Sequence, residues 1–206
     1  VRRRHLRLPG PIADPLVEAI GLWVHRGRRT VLRDLSVAVR PGEFIAVVGP
    51  NGAGKSTLVG ALAGDLSASA GHVQLDGKPI GAWRPVELAM RRAVLPQDQQ
   101  VAFPFTVSEI VSMGRTPWAG TARHEQDTSR VLDALVAMDA LELADRRFPT
   151  LSGGERARVA MARALVQDAA KIRLHRRRIP AVVEADRLRS MVRAGAERRS
   201  ARTGSN

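Results

Sequence analysis

The sequence predicts an α/β fold centred on a strand, a glycine-rich loop and a helix. Three observations carry that prediction. A short β-branched run, Glu43 to Val48, leads directly into Gly49, Gly52 and Gly54, and helical character follows over Lys55 to Ala63. The apolar period is two along the first part of the chain and becomes helical from Thr106 onward. At 206 residues and 44% hydrophobic, the chain is long enough for one domain with a sizeable core.

The elements follow in order. Residues 1–16 are rich in Arg and Pro and read as a flexible basic lead-in. Leu16 to Val24 and Thr30 to Val39 alternate apolar and polar residues, as paired antiparallel strands do, with Gly27 at the turn between them. Pro41-Gly42 is a second turn. Glu43 to Val48 has the composition of a buried strand. Gly71 to Leu75 reads as a strand closed by an Asp76-Gly77 turn. Pro85 to Arg92 reads as a short helix with Pro in its first turn, and Ala93 to Leu95 as a brief strand. Thr106-Val107-Ser108-Glu109 has the spacing of a capping box. Val131, Leu132, Leu135, Val136 and Met138 form an apolar stripe suited to core packing. Ser152-Gly153-Gly154-Glu155 repeats the capping spacing and opens a helix towards Gln167.

Composition removes several function classes. The chain has no cysteine, which excludes disulfides, thiolate metal sites and cysteine catalysis. No apolar run reaches the length of a membrane span, so a membrane role is expected to be peripheral. The chain begins with Val, which fits a fragment or a non-standard start codon read literally. The net charge of +13 suggests a polyanion partner, but its distribution argues otherwise. Residues 168–206 hold 11 Lys/Arg against 4 Asp/Glu, more than half of the excess. With aromatics at only 3% there is little to stack on bases, and no nucleic-acid partner is expected.

Gly49-Pro50-Asn51-Gly52-Ala53-Gly54-Lys55-Ser56 fits the phosphate-loop pattern G-x-x-x-x-G-K-[ST]. Backbone N–H groups of such a loop cradle phosphates, and its glycines allow the necessary backbone angles. Lys55 is expected to reach the β- and γ-phosphates, and Ser56 to ligate Mg²⁺ through its hydroxyl. Thr57 follows them in the first turn of the helix, whose positive end adds to the anion site.

A phosphate loop alone does not choose among nucleotidases, kinases and motor proteins. Leu151-Ser152-Gly153-Gly154-Glu155, roughly a hundred residues later, resembles the signature motif of ABC-transporter ATPases. Gln97, after Leu95-Pro96, resembles that family's Q-loop glutamine. The resemblance covers about residues 17–167. It implies a P-loop NTPase (RecA-like) core with an antiparallel β hairpin over 17–98, and a helical signature region over 99–167. It also implies that ATP binds with Mg²⁺ held by Ser56 and Gln97. Two copies would associate head to tail, with Ser152, Gly153 and Gly154 of each facing the other's phosphate loop. Ala102-Phe103-Pro104-Phe105-Thr106-Val107, Met113-Gly114-Arg115 and Pro117-Trp118 resemble the haem (haemin) import branch. Siderophore and cobalamin importers share the Thr-Val and Gly-Arg pieces. The implied partners are membrane permease subunits, a second ATP-binding subunit and a substrate-binding protein, at the cytoplasmic face of the inner membrane. Where the family carries an aromatic residue against adenine, this chain has Arg26, beside His25. A guanidinium can stack on a base, and a solvated basic hairpin is the competing reading.

After the signature helix the family pattern requires an apolar strand ending in Asp-Glu, then a strand bearing a switch histidine. Neither is legible. Lys171-Ile172-Arg173-Leu174-His175-Arg176-Arg177-Arg178 cannot be a buried parallel strand without burying charges. Ala181-Val182-Val183-Glu184 with Asp186 has the acids in the wrong order, and His175 lies too near the signature. The C-terminal part of the core is therefore expected to be missing, and no catalytic residue is identifiable. Residues 168–206 read either as out-of-frame translation or as a basic tail on a degenerate, non-catalytic ATPase. A soluble ABC ATPase acting on nucleic acid is a further alternative, disfavoured because only one cassette is present.

Overall fold

The computed structural model describes residues 14–95, 103–168 and 172–175. They fall into two compact units. One takes in residues 14–94 with 172–175, the other residue 95 with 103–168.

The first unit is built on β1 (Val17–Arg26) and β2 (Arg29–Val39), joined through Gly27 in left-handed backbone. β3 (Ala70–Leu75) pairs with the other edge of β1, and the two-residue β4 (Lys78–Pro79) pairs with β3. All of these pairings are antiparallel, in the order β2-β1-β3-β4. The alternation read from the sequence sets the buried face: Val17, Ala19, Leu22 and Val24 are buried. The interval from Ala19 to Leu22 breaks the period of two because the register shifts there. Gly21 sits in left-handed backbone at that irregularity, and its N–H donates to Ser36 Oγ at 2.9 Å. Helix α1 (Lys55–Ala63) packs Leu58, Ala61 and Leu62 into the core formed with these strands. Helix α2 (Pro85–Ala89) adds Leu88 to the same core.

Three expectations for this unit are corrected. α2 stops at Ala89, and Arg92 already belongs to strand β5 (Arg92–Leu95). Residues 43–48 do not form a buried strand. Phe44, Ile45, Val47 and Val48 are exposed, Val48 by 87%. A central strand gains its burial from neighbours on both edges, and among the described residues none pairs with this run. Finally, Ile172–His175 is a strand, β6, paired with β5, in a stretch expected to be basic tail or out-of-frame translation. The sequence there alternates Ile and Leu with Arg and His. That is the period of a strand.

The second unit is helical. Helices α3 (Val107–Ser112), α4 (Asp127–Ala137) and α5 (Gly153–Val166) enclose one apolar core. Of the apolar stripe on α4, Val131, Leu135 and Met138 are buried in that core, joined by Ala134. Short stretches of 3-10 helix connect the elements, including Met113–Trp118. Thr106 caps α3 through the predicted box: its hydroxyl accepts from Glu109 N–H at 3.2 Å, and Glu109 accepts from Thr106 N–H at 2.7 Å.

Candidate functional site

The glycine loop is shaped by its own residues and by one contact with the hairpin. Gly49, Gly52 and Gly54 have φ of 149°, 81° and 90°, angles a side chain would strain. Gly54 is the N-cap of α1. A Cβ there would lie 3.0 Å from Leu32 Cδ2 and 3.1 Å from Val31 Cγ1, so this end of the loop is seated directly against β2. Ala53 N–H closes a turn on Pro50 O at 3.3 Å. Lys55 folds back over the loop, its ammonium donating to Gly49 O and Pro50 O at 2.7 Å each. Asn51 and Ser56 are exposed, and Thr57 is buried below them as the helix turns inward.

This donor set suits a chain of phosphates. The first-turn N–H groups of α1 have no acceptor within the helix. An ammonium has three donors, of which the loop carbonyls take two. The Ser56 hydroxyl is a hard oxygen of the kind Mg²⁺ takes together with substrate phosphates. No group of three His, Cys, Asp or Glu among the described residues could hold a metal ion. The Ser56 hydroxyl fits a magnesium ion whose remaining ligands are phosphate and water. Gln97, the other expected ligand, lies outside the described residues.

The second cluster is the start of α5. Ser152 Oγ accepts from Glu155 N–H at 3.3 Å, and Glu155 accepts from Ser152 N–H at 2.7 Å. The Ser152 backbone N–H, then its hydroxyl, hold the Glu155 carboxyl below its ordinary pKa. Leu151 is buried and anchors the turn, while Ser152, Gly153 and Gly154 are exposed. A Cβ on either glycine would meet nothing within 4 Å. The glycines thus leave an open surface at the positive end of a helix.

Several supporting residues were not singled out for a role from the sequence. Arg146 pairs with Glu155 at 3.0 Å, and Arg156 donates to Pro149 O at 2.7 Å. At the far end of α5, the buried Arg115 donates to Val166 O at 3.0 Å, to Arg123 O at 3.2 Å and to Asp127 at 2.6 Å. Trp118, also fully buried, donates from Nε1 to Gln167 O at 2.6 Å. The Gly-Arg and Pro-Trp pairs were the only sequence signal for this. Arg26 is exposed at the end of β1, opposite Arg29, while His25 Nδ1 lies 3.0 Å from Thr30 Oγ1.

The family model described as "ABC transporter" matches residues 32–174. The "Hemin import ATP-binding protein HmuV" of Streptomyces coelicolor is 53% identical over 165 residues, covering 79% of this chain and 59% of that protein. The protein of the same name from Nocardia farcinica is 56% identical over 140 residues, covering 68% and 49%. The chain therefore spans between half and three-fifths of the length of these relatives. Among solved structures, cbiO1 from Clostridium perfringens, described as part of the ABC transporter complex cbiONQ, superposes with a TM-score of 0.67. The identity is 26%, and the match covers 88% of this chain and 74% of that one.

Proposed function

The chain belongs to the ABC transporter family, and on that premise we propose that it is the ATP-binding subunit of an importer that couples ATP binding and hydrolysis to haem uptake. The observation that carries the proposal is the pairing, in one chain, of a lysine-closed phosphate loop with a capped, glycine-faced signature helix. The two hemin import relatives, each more than half identical, support haem as the cargo. Gly49 to Ser56 cradle the phosphates, with Lys55 on the β- and γ-phosphates. Mg²⁺, when bound, neutralises the phosphate oxygens, and Ser56 with Gln97 would hold it. Arg26 lays its guanidinium on the base. Ser152, Gly153 and Gly154 contact the γ-phosphate of ATP held by a second copy. Membrane permease subunits and a substrate-binding protein complete the assembly at the cytoplasmic face of the membrane, with this chain peripheral. No helix among the described residues is long and apolar enough to cross a membrane.

A second reading is favoured by a specific observation: Phe44 to Val48 lie exposed, and no described strand ends in Asp-Glu. On that reading the chain binds nucleotide without hydrolysing it. The test is ATP binding and ATP turnover by the chain, with Lys55→Ala as control, and haem uptake by cells producing it with haem-importer permease subunits. Lys55-dependent binding with turnover and haem uptake supports the importer. Binding without turnover supports the second reading. Uptake of a ferric siderophore or cobalamin instead of haem overturns the cargo.

A further inference from the structure

We propose that Asn51 is a site of spontaneous covalent modification that shuts the phosphate loop. The Gly52 backbone nitrogen displaces ammonia from the Asn51 side-chain amide, and water converts the product to a carboxylate. The loss of binding rests on the reading that the loop takes a nucleotide; the chemical step does not. The chain has two asparagines, Asn51 and Asn206. Asn51 is followed by Gly52, which has no side chain to obstruct the approach of its nitrogen. Both residues are exposed, and even a Cβ at Gly52 would meet nothing within 4 Å. They are the central pair of the turn closed by Ala53 N–H on Pro50 O, a long hydrogen bond of 3.3 Å that holds the pair weakly.

The step balances without an oxidant or a reductant. The Gly52 nitrogen loses its proton to solvent and bonds to Cγ of Asn51, closing a five-membered succinimide. The bond from Cγ to Nδ2 breaks, and ammonia leaves. Water then opens the ring. Cleavage at Cγ leaves aspartate at position 51, and cleavage at the main-chain carbonyl leaves isoaspartate. The attacking nitrogen is an anion, and the loop favours anions: α1 begins just beyond Gly54, and the Lys55 ammonium lies 2.7 Å from Pro50 O. Asp76-Gly77 has the same ring-forming atoms, but Arg91 holds that carboxylate at 3.4 Å, with both side chains largely buried.

The same field then works against the nucleotide. The new carboxylate takes the positive end of α1 and the Lys55 ammonium for itself. Its repulsion of several phosphate charges lowers affinity about tenfold. Isoaspartate also lengthens the main chain inside the turn and misplaces Ala53 N–H from Pro50 O. A nucleotide already in place engages the loop N–H groups and so protects Asn51.

The test incubates the full chain for days at mildly alkaline pH and physiological temperature, with and without MgATP. Mass spectrometry follows the peptide ending at Lys55, and enzymatic methylation of that peptide detects isoaspartate. A free Asn-Gly peptide is the reference, and Asn51→Gln and Lys55→Ala variants run alongside. The parent peptide should gain the mass increment of an amide become acid, and Asn51→Gln should gain none. MgATP at ten times its Kd should slow conversion about tenfold in the parent, and not in Lys55→Ala. The aged parent and a fresh Asn51→Asp variant, each checked by circular dichroism, should bind ATP about tenfold more weakly than the fresh parent. A parent peptide unchanged while the reference converts, or ATP affinity unaltered by conversion, overturns the proposal. The phosphate-loop reading then stands if fresh protein binds ATP through Lys55. If fresh protein shows no Lys55-dependent binding, that reading falls and takes the loss of binding with it, while the mass spectrum still decides the chemical step.

Discussion

Replacing Arg115 by Leu tests what holds the end of the signature helix. Arg115 is 2% exposed, and its guanidinium serves the Asp127 carboxylate and two backbone carbonyls, those of Val166 and Arg123. The substitution leaves Asp127, itself only 17% exposed, without its main counter-charge. It also strips Val166 O of a donor at the C-terminus of α5. Breaking a buried ion pair from one side costs about 3–5 kcal/mol. His124 Nδ1 lies 2.7 Å from the other Asp127 oxygen and compensates in part, which places the expectation at the lower end, about 3 kcal/mol. For a chain of this size that is a fall in melting temperature of roughly 6–12 °C. Circular dichroism and tryptophan fluorescence, to which buried Trp118 contributes with Trp23 and Trp83, follow the transition. The double variant R115L/D127L removes both charges and should recover much of the loss, since an apolar pair can replace a buried ion pair at little cost. A single variant that melts within a degree of the parent, or a double variant no more stable than the single, would refute the reasoning.

Three further outcomes are expected. Gly114→Ala places a Cβ against the Arg163 carbonyl oxygen and 2.7 Å from Val166 Cγ1. It should destabilise the helical unit by about 1–3 kcal/mol in denaturant titration, as overpacking does. Ser152→Ala removes the α5 cap and should cost about 1 kcal/mol, while a Ser152→Asn variant, which can still cap, should lose less. The carboxyls of Glu109 and Glu155 are held below their ordinary value of 4.5, first by the N-cap backbone N–H and then by its hydroxyl. Their folded pKa lies below the unfolded one, so their contribution is present above pH 4.5 and is lost as pH falls through the folded value. A double E109Q/E155Q variant should show a flatter fall in stability below pH 4.5 than the parent, measured by urea titration at stepped pH.

The parts of the fold legible in the sequence are those specified by neighbours along the chain. Thr106 and Ser152 announce their caps three residues ahead, and both boxes form with their hydrogen bonds. The β1–β2 hairpin announces itself by its alternation and by Gly27. The α5 clamp was less legible because Arg115 and Val166 stand 51 residues apart. Nothing in a Gly-Arg pair states which carbonyl it will meet. The left-handed backbone at Asp34, Asp139 and Asp168 was equally silent, whereas that at Asp76 was signalled by the Asp76-Gly77 turn.

The exposed run at Phe44 to Val48 shows the same division acting within the phosphate site itself. Its composition reads as buried-strand material and the structure forms no strand there, because composition supplies only one side of a ladder. A strand in the middle of a sheet depends on partners distant in sequence. By contrast, the loop that follows depends on Gly54 against Val31 and Leu32, on the Ala53–Pro50 turn, and on Lys55 over its own carbonyls. Each of those contacts lies within 23 residues of chain, so the phosphate loop keeps its shape while the run leading into it stays unpaired. Loop shape and strand burial are therefore separable here. A Gly54→Ala variant exploits the separation. It strains a φ of 90° and crowds Leu32 and Val31, so it should weaken ATP binding at least tenfold. Accessibility of Phe44, read by its exposure to a photoreactive apolar label, should stay as it is. Loss of binding together with burial or further exposure of Phe44 would mean that loop and strand fold as one unit, and the separation would be wrong.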